Sequence, residues 1–133
     1  MCKLRFVVLM LLSFLWLSPA LADIDVSRAQ ITSGIDNREP IDRVEKVFND
    51  VDKVYFFTEF KGMKGRSVLH RWEQGGIVRA EVVFNIGADR WRVWSSKNMY
   101  PTWLGEWKVS VVDDDGNILA QESFDYVPVE LKQ

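Results

Sequence analysis

The sequence predicts an all-β protein, an immunoglobulin-like antiparallel β-sandwich of about seven strands, and three observations predict it. Across residues 66–97, three runs of alternating apolar and polar residues are separated by the turns Gly75-Gly76 and Gly87-Ala88-Asp89, a strand-and-turn spacing that suits a sandwich. Those runs, and two more at 53–60 and 106–112, are crowded with β-branched and aromatic residues, which favour pleated, half-buried chain. Helical periodicity is confined to one short stretch after Pro40, where Ile41, Val44, Val47, Phe48 and Val51 recur at three- and four-residue spacing.

Residues 1–22 have the layout of a secretory signal: Lys3 and Arg5, an apolar run over 6–17, then Ala20-Leu21-Ala22. The run is short of the roughly 20 residues a membrane-spanning helix needs, so cleavage after Ala22 and a periplasmic or secreted destination are expected. Residues 23–133 then form a single domain with enough chain for one core. The only cysteine, Cys2, lies away from the cleavage site, and the mature chain holds no thiol for a disulfide, a nucleophile or a metal. Without Lys3 and Arg5 the chain carries 15 basic against 19 acidic residues and no basic block, which argues against nucleic acid as a partner.

Residues 26–35 alternate weakly, through Val26, Ala29, Ile31 and Ile35, as a first strand. Asp36-Asn37-Arg38-Glu39-Pro40 is turn chemistry, and the stretch after it reads equally as a short helix or as an irregular crossover tucked under the sandwich. At 53–60 both faces are apolar in the middle, as befits a central strand; Gly62-Met63-Lys64-Gly65 then turns the chain. Strands follow at 66–74, 77–85 and 90–96. The last puts Trp91, Val93 and Ser95 on one face and Arg92, Trp94 and Ser96 on the other, with Trp94 expected outward beside the arginines. A loop over 97–105 carries Tyr100 and Trp103. The strand at 106–112 points Trp107, Val109 and Val111 inward, and a turn at 113–117 leads to a last strand from 118 to about 126, ended by Pro128.

The hairpin of 66–74 and 77–85 has a preferred register. A tight two-residue turn at Gly75-Gly76 would pair Gln74 with Ile77 and hence Arg71 with Ala80, burying Arg71 and Glu73 among valines. A three-residue connection instead pairs Trp72 with Ala80, His70 with Val82 and Val68 with Phe84 on the inner face. It also sets Arg71 opposite Glu81, and Glu73 opposite Arg79, on the outer face; each opposite-charge pair is worth roughly 0.2–1 kcal/mol.

An ordered set of short motifs runs through the chain: Arg28-Ala29-Gln30, Arg38-Glu39-Pro40, Thr58-Glu59 ahead of Gly62-Met63-x-Gly65, and His70-Arg71-Trp72-Glu73. Arg90-Trp91-Arg92-Val93-x-Ser95-Ser96-Lys97 and Gly105-x-Trp107 complete it. The set resembles the bacterial domain of unknown function family 2914 over nearly all of the mature chain. The resemblance implies a compact bacterial domain outside the cytoplasm or attached to a membrane protein, and carries over no catalytic residue.

Candidate chemistry is sparse. His70 is the sole histidine, and without a cysteine or a second histidine a transition-metal site lacks ligands, so a hydrogen-bonded core histidine is the better reading. Glu59, Glu73 and Glu81 are the carboxylates a hydrolase would need, but arginine partners for Glu73 and Glu81 would hold them anionic and unsuited to donate a proton. Asp113-Asp114-Asp115 lacks the alternate spacing of a calcium loop and reads as a solvated turn. No cofactor or metal is expected.

What remains is a set of aromatic and cationic residues suited to contact: Arg71, Arg79, Arg92, Trp94, Ser96, Lys97, Asn98, Tyr100 and Trp103. Exposed aromatics offer flat apolar surface to a sugar ring or a peptide, and arginine offers forked donors to a carboxylate. The expected function is therefore a non-catalytic envelope module that binds a peptide, a glycan or a partner protein. A carboxylate hydrolase and a structural subunit docked on a membrane protein are the alternatives.

Overall fold

The computed structural model describes residues 25–131; the signal reading over 1–22 and Cys2 lie outside them. Ten strands follow in order: β1 (Asp25–Thr32), β2 (Ile35–Asp36), β3 (Glu39–Pro40), β4 (Lys46–Phe48), β5 (Lys53–Lys61), β6 (Ser67–Gln74), β7 (Ile77–Asn85), β8 (Arg90–Asn98), β9 (Gly105–Asp113) and β10 (Ile118–Val127). A three-stranded sheet, β1-β5-β8, packs on a five-stranded sheet, β4-β10-β9-β6-β7, and β2-β3 is a small separate hairpin. All pairings are antiparallel except that of β4 with β10. The seven long strands match those read from the alternation, and the connections β5–β6, β7–β8 and β8–β9 pass between the sheets, as in an immunoglobulin-like sandwich.

The core is the meeting of the two inner faces. Val54, Phe56 and Phe60 of β5 and Val93 of β8 face Val68 and Trp72 of β6, Trp107, Val109 and Val111 of β9, and Phe124 and Tyr126 of β10. The Trp107 and Phe124 rings stack at 6.0 Å, and Trp72 meets Phe124 edge-on at 6.4 Å. β5 is central and buried on both sides: Phe57 points to the outer face yet has no exposure, lying between Gln30 and Trp94 with the Arg28 guanidinium 4.8 Å over its ring.

The stretch after Pro40 is the irregular crossover rather than a helix. Its backbone bonds run outward, from Val44 N–H to Ile31 O at 3.0 Å and from Asn49 N–H to Val127 O at 2.9 Å, and β4 lies parallel along β10. β-Branched residues at four of its five periodic positions favour extended chain over helix. Val47 of the series is buried in the core and Val44 packs against it, while Ile41 is 59% and Val51 36% exposed, so the periodic residues do not share one buried face. Asp42 ties the segment back to β1, accepting from Thr32 Oγ1 and the Ser33 backbone N–H at 2.8 Å each and from the Ser33 hydroxyl.

The β6–β7 hairpin keeps the inner-face pairs read from the sequence, Trp72 with Ala80, His70 with Val82 and Val68 with Phe84, and sets Arg71 opposite Glu81. The connection itself is different. Gln74 pairs with Ile77 across a two-residue turn, Gly75-Gly76, whose φ angles of 54° and 83° are those of the tight turn that matches strand twist. The slip occurs one step later, between Trp72 and Glu73, where Arg79 is the extra residue of a β-bulge. Glu73 consequently faces Val78, and the expected Glu73–Arg79 pair does not form. Both routes keep Arg71 out of the core, but the bulge frees Arg79 to point elsewhere.

The turn can be tested by itself. A Cβ on Gly76 would meet nothing within 4 Å, so Gly76→Ala should destabilise through its left-handed backbone alone, by about 1 kcal/mol. Urea denaturation should show a lower midpoint with an unchanged slope.

Candidate functional site

The nine residues singled out as a contact set fall into three places. Arg71 lies on the outer face of the five-stranded sheet, paired with Glu81 at 3.4 Å. Arg92, Trp94 and Ser96 lie on the outer face of the three-stranded sheet, opposite Glu59, Phe57 and Tyr55 of β5. Trp94 faces outward as expected but is half-buried beside Phe57. Lys97 continues the inner face of β8 past Val93 and Ser95, so it departs from Trp94 although only three positions separate them. Arg79, Lys97, Tyr100 and Trp103 meet at one end of the sandwich, with Asn98 adjoining as the carbonyl that accepts from Lys97 Nζ at 3.2 Å.

That end is built around Trp103. The loop after β8 is pinned by Met99 N–H to Asp52 O at 2.8 Å, by Asn49 Nδ2 to Pro101 O at 3.2 Å and by Gln74 Nε2 to Leu104 O at 2.9 Å. Trp107 Nε1 donates to Trp103 O at 2.9 Å, and the two indoles lie 6.0 Å apart. Trp103 is half-buried, its inner edge on the core and its remaining surface under two cations. The Arg79 guanidinium carbon lies 4.3 Å from the ring centroid and Lys97 Nζ 5.2 Å, while Tyr100 meets the indole edge-on at 4.6 Å. The bulge is what carries Arg79 there: its Nε and Nη2 donate to Gln74 Oε1 at 3.1 and 3.0 Å. An open cleft of about 250 Å³ adjoins it, lined by Gln74, Gly75, Ile77, Arg79, Leu104, Gly105 and Glu106. Sequence reading missed Gln74, Ile77 and Leu104, whose recruitment depends on the turn.

Among the described residues the two cations of this end, Arg79 and Lys97, are left without an ion partner, although Glu106 lines the adjoining cleft. Their hydrogen bonds go to neutral oxygens. Burial, with the neighbouring Arg79 charge adding to it, lowers the Lys97 pKa.

Arg28, Arg43, Arg66, Arg71, Arg90 and Arg92 each have a carboxylate partner. Glu39 accepts from Arg28 at 2.7 Å and from Arg92 at 2.8 Å; Glu59, 3% exposed, accepts from Ser27 at 2.8 Å and from Arg90 at 3.0 Å. Burial opposes ionisation of Glu59, but those bonds and charges outweigh it and hold its pKa below the usual carboxylate range. Such a group does not donate protons. Arg66 also reaches Asp113, Asp114 and Asp115 at 3.4, 2.5 and 3.4 Å, so a single guanidinium is shared by three carboxylates and offsets only part of the charge of the acidic turn. A larger open groove of about 450 Å³ between residues 43–45 and β10 is lined by Glu45, Glu106, Glu122 and Asp125 against Arg43.

His70 is fully buried, as a core histidine should be. Its Nδ1 lies 2.7 Å from Ser95 Oγ and its Nε2 2.9 Å from Thr58 Oγ1, while Trp72 Nε1 donates to Ser95 Oγ at 3.0 Å and Thr58 Oγ1 lies 3.4 Å from Val93 O. One assignment satisfies every donor: Trp72 N–H to Ser95, Ser95 O–H to Nδ1, Nε2–H to Thr58, and Thr58 O–H to Val93 O. The imidazole is neutral, its pKa pushed down to about 3 by burial.

Residues 65–126 match the family described as Protein of unknown function (DUF2914), the family whose motifs the chain resembles. No curated protein matches the chain significantly. Among solved structures, the CARDB domain of a Pyrococcus furiosus protein in complex with di-metal ions is similar at 12% identity and a TM-score of 0.45, over 80% of this chain and 99% of that one. An endonuclease/exonuclease/phosphatase from Beutenbergia cavernae is similar at 13% identity and a TM-score of 0.34, over 75% of this chain and 27% of that one. Likenesses of this degree bear on neither ligand nor activity.

His70 gives the fold a pH signature. Its folded pKa, about 3, lies below the ordinary 6.5, so the unfolded chain takes up the proton first and stability falls as pH drops from 6.5 towards 3. Between pH 7.5 and 5 the loss should be about 2 kcal/mol, above the range where the lowered carboxylates contribute. Denaturation at a series of pH values should show this slope in the wild type and its absence in His70→Gln, whose stability is lower throughout.

Proposed function

We propose that this protein is an exported, non-catalytic β-sandwich module of the bacterial envelope that binds an acidic peptide segment of a partner protein at the Trp103 end. The observation that carries this reading is the pair of like charges held against one indole without a carboxylate. Two cations brought together and partly desolvated repel each other, and an incoming carboxylate relieves that repulsion while gaining forked donors and a flat apolar floor. A neutral glycan would use the aromatic floor and leave both charges unmet. The outer-face arginines already have Glu39 and Glu59 as partners, and Arg71 has Glu81. Export rests on the signal layout of residues 1–22; intact-mass measurement on protein recovered from the envelope should give Asp23 as the first residue.

Binding is tested with a blocked, aspartate-rich peptide, followed by indole fluorescence and by the Trp103 side-chain N–H resonance. Arg79→Gln and Lys97→Gln should each weaken binding by about tenfold, roughly 1.4 kcal/mol, as expected for loss of one charge-assisted contact. Arg71→Gln should leave it unchanged. Thermal melts of all three variants should stay close to wild type. Equal weakening by all three substitutions would mean nonspecific charge attraction and would overturn the proposal.

A further inference from the structure

The acidic segment has a place to lie. β7 is the last strand of the five-stranded sheet, nine residues long, and among the described residues no strand pairs with its outer edge. Which of its backbone groups face that edge follows from the ladder. Ile86 N–H donates to Arg66 O at 2.9 Å at one end of the β6–β7 pair. On the opposite side of β6, Gly75 N–H donates to Glu106 O at 3.3 Å, beyond the end of the β6–β9 ladder. Antiparallel pairs alternate between bonded and unbonded. The even-numbered positions of β6 therefore bond to β7, and the odd-numbered ones bond to β9. On β7, Ala80, Val82 and Phe84 turn their N–H and C=O groups inward to β6, and Glu81, Val83 and Asn85 turn theirs outward to the open edge.

The side chains there do little to blunt it. Val83 is 66% exposed, Ile77 56% and Val78 47%. The protective feature is the bulge at Arg79, which interrupts the ladder at the Ile77 end. It leaves residues 80–85 as regular edge, and it is also the device that sets Arg79 over Trp103.

We infer that the partner binds as an added β-strand: an extended segment pairs its backbone with Glu81, Val83 and Asn85, and an acidic residue towards its end reaches Arg79 and Lys97. This rests on the anion-binding reading above and adds its geometry. Charge complementarity selects the occupant. A second copy paired through β7 about a two-fold axis at Val83 would meet Glu81 with Asn85 and place no carboxylate on either cation. Strand addition draws affinity from main-chain bonds and selectivity from the side chains at each end. From Val83 to Arg79 is four residues, about 13 Å of strand, so the segment needs an apolar residue and an acidic one about that far apart.

The test uses the full mature chain and three blocked octapeptides of alternating valine and threonine: one ending in two aspartates, one ending in two asparagines, and the first with alternate amides N-methylated. Amide hydrogen exchange is read residue by residue. The inference expects the aspartate peptide to slow exchange at Glu81, Val83 and Asn85 at least fivefold, leaving Val82 and Phe84, already bonded to β6, unchanged. The methylated peptide should lose that protection. A shift of the Trp103 indole resonance without protection of the three amides would overturn strand addition while the anion reading stands. Neither effect would overturn both. Protection that rises with protein concentration in the absence of peptide would show a second copy on the edge and overturn the partner segment.

Discussion

A polar chain crosses the middle of an apolar core, and the relative placement of the two sheets depends on it. Thr58 of β5 and Ser95 of β8 come from one sheet, His70 and Trp72 of β6 from the other, and each lies within 3.0 Å of its partner in the chain. Apolar packing by itself tolerates sliding, because any valine face suits any other. A hydrogen-bonded chain does not: displacing one strand by a residue pair would strand a buried donor or acceptor at a cost of about 1–3 kcal/mol each. No buried side-chain nitrogen or oxygen among the described residues lacks a partner. Phe56 and Phe84, at 4.7 and 4.8 Å from the imidazole, close off water, so the chain is dry and its bonds are correspondingly strong.

With the sheets held, the Trp103 end is a consequence. Trp72 sets the step from which the bulge departs, and the bulge turns Arg79 towards the loop; Trp107, stacked on Phe124 in the same core, holds the Trp103 carbonyl. The platform is thus supported from the core on one side and from a β-bulge on the other, so it arrives already formed. Little side-chain ordering would remain to oppose binding.

The alternation of two residues made the strands legible, because burial on one face is a physical demand repeated at each step; Trp107, Val109 and Val111 are all buried as that period required. The hairpin was legible in its result but not its means. A wider turn and a tight turn followed by a bulge place Trp72, His70 and Val68 identically, and nothing in Gly75-Gly76 distinguishes them. The crossover after Pro40 showed a helical period by coincidence, since only tertiary structure decides whether the residues of such a period share one buried face. The site was half legible. Arg79, Lys97, Tyr100 and Trp103 of the sequence-read set do meet, but nearness in sequence also grouped Arg92 and Trp94 with Lys97, and the pleat sends them to opposite faces. The matched arginines were present as motif residues, yet their pairing is long-range: Arg28 and Arg92 share Glu39 across 11 and 53 positions.

That pairing separates structural charge from available charge. Glu39 and Glu59 answer Arg28, Arg90 and Arg92 on a face where Phe57 is completely covered, so those arginines act as cover for an outer-face aromatic and as struts for the β2-β3 hairpin, whose Arg38 carbonyl also accepts from Arg92. Removing one of their glutamates would leave arginines uncompensated over an apolar ring. Arg79 and Lys97 sit over an aromatic ring too, and there Glu106 lines the adjoining cleft but no carboxylate among the described residues pairs with either cation. One sheet face therefore completes its own electrostatics, while the end of the sandwich leaves an anion's place open. Both arrangements use an arginine over a ring; the presence or absence of the carboxylate is what makes one a strut and leaves the other with the unpaired charge on which the proposed binding rests.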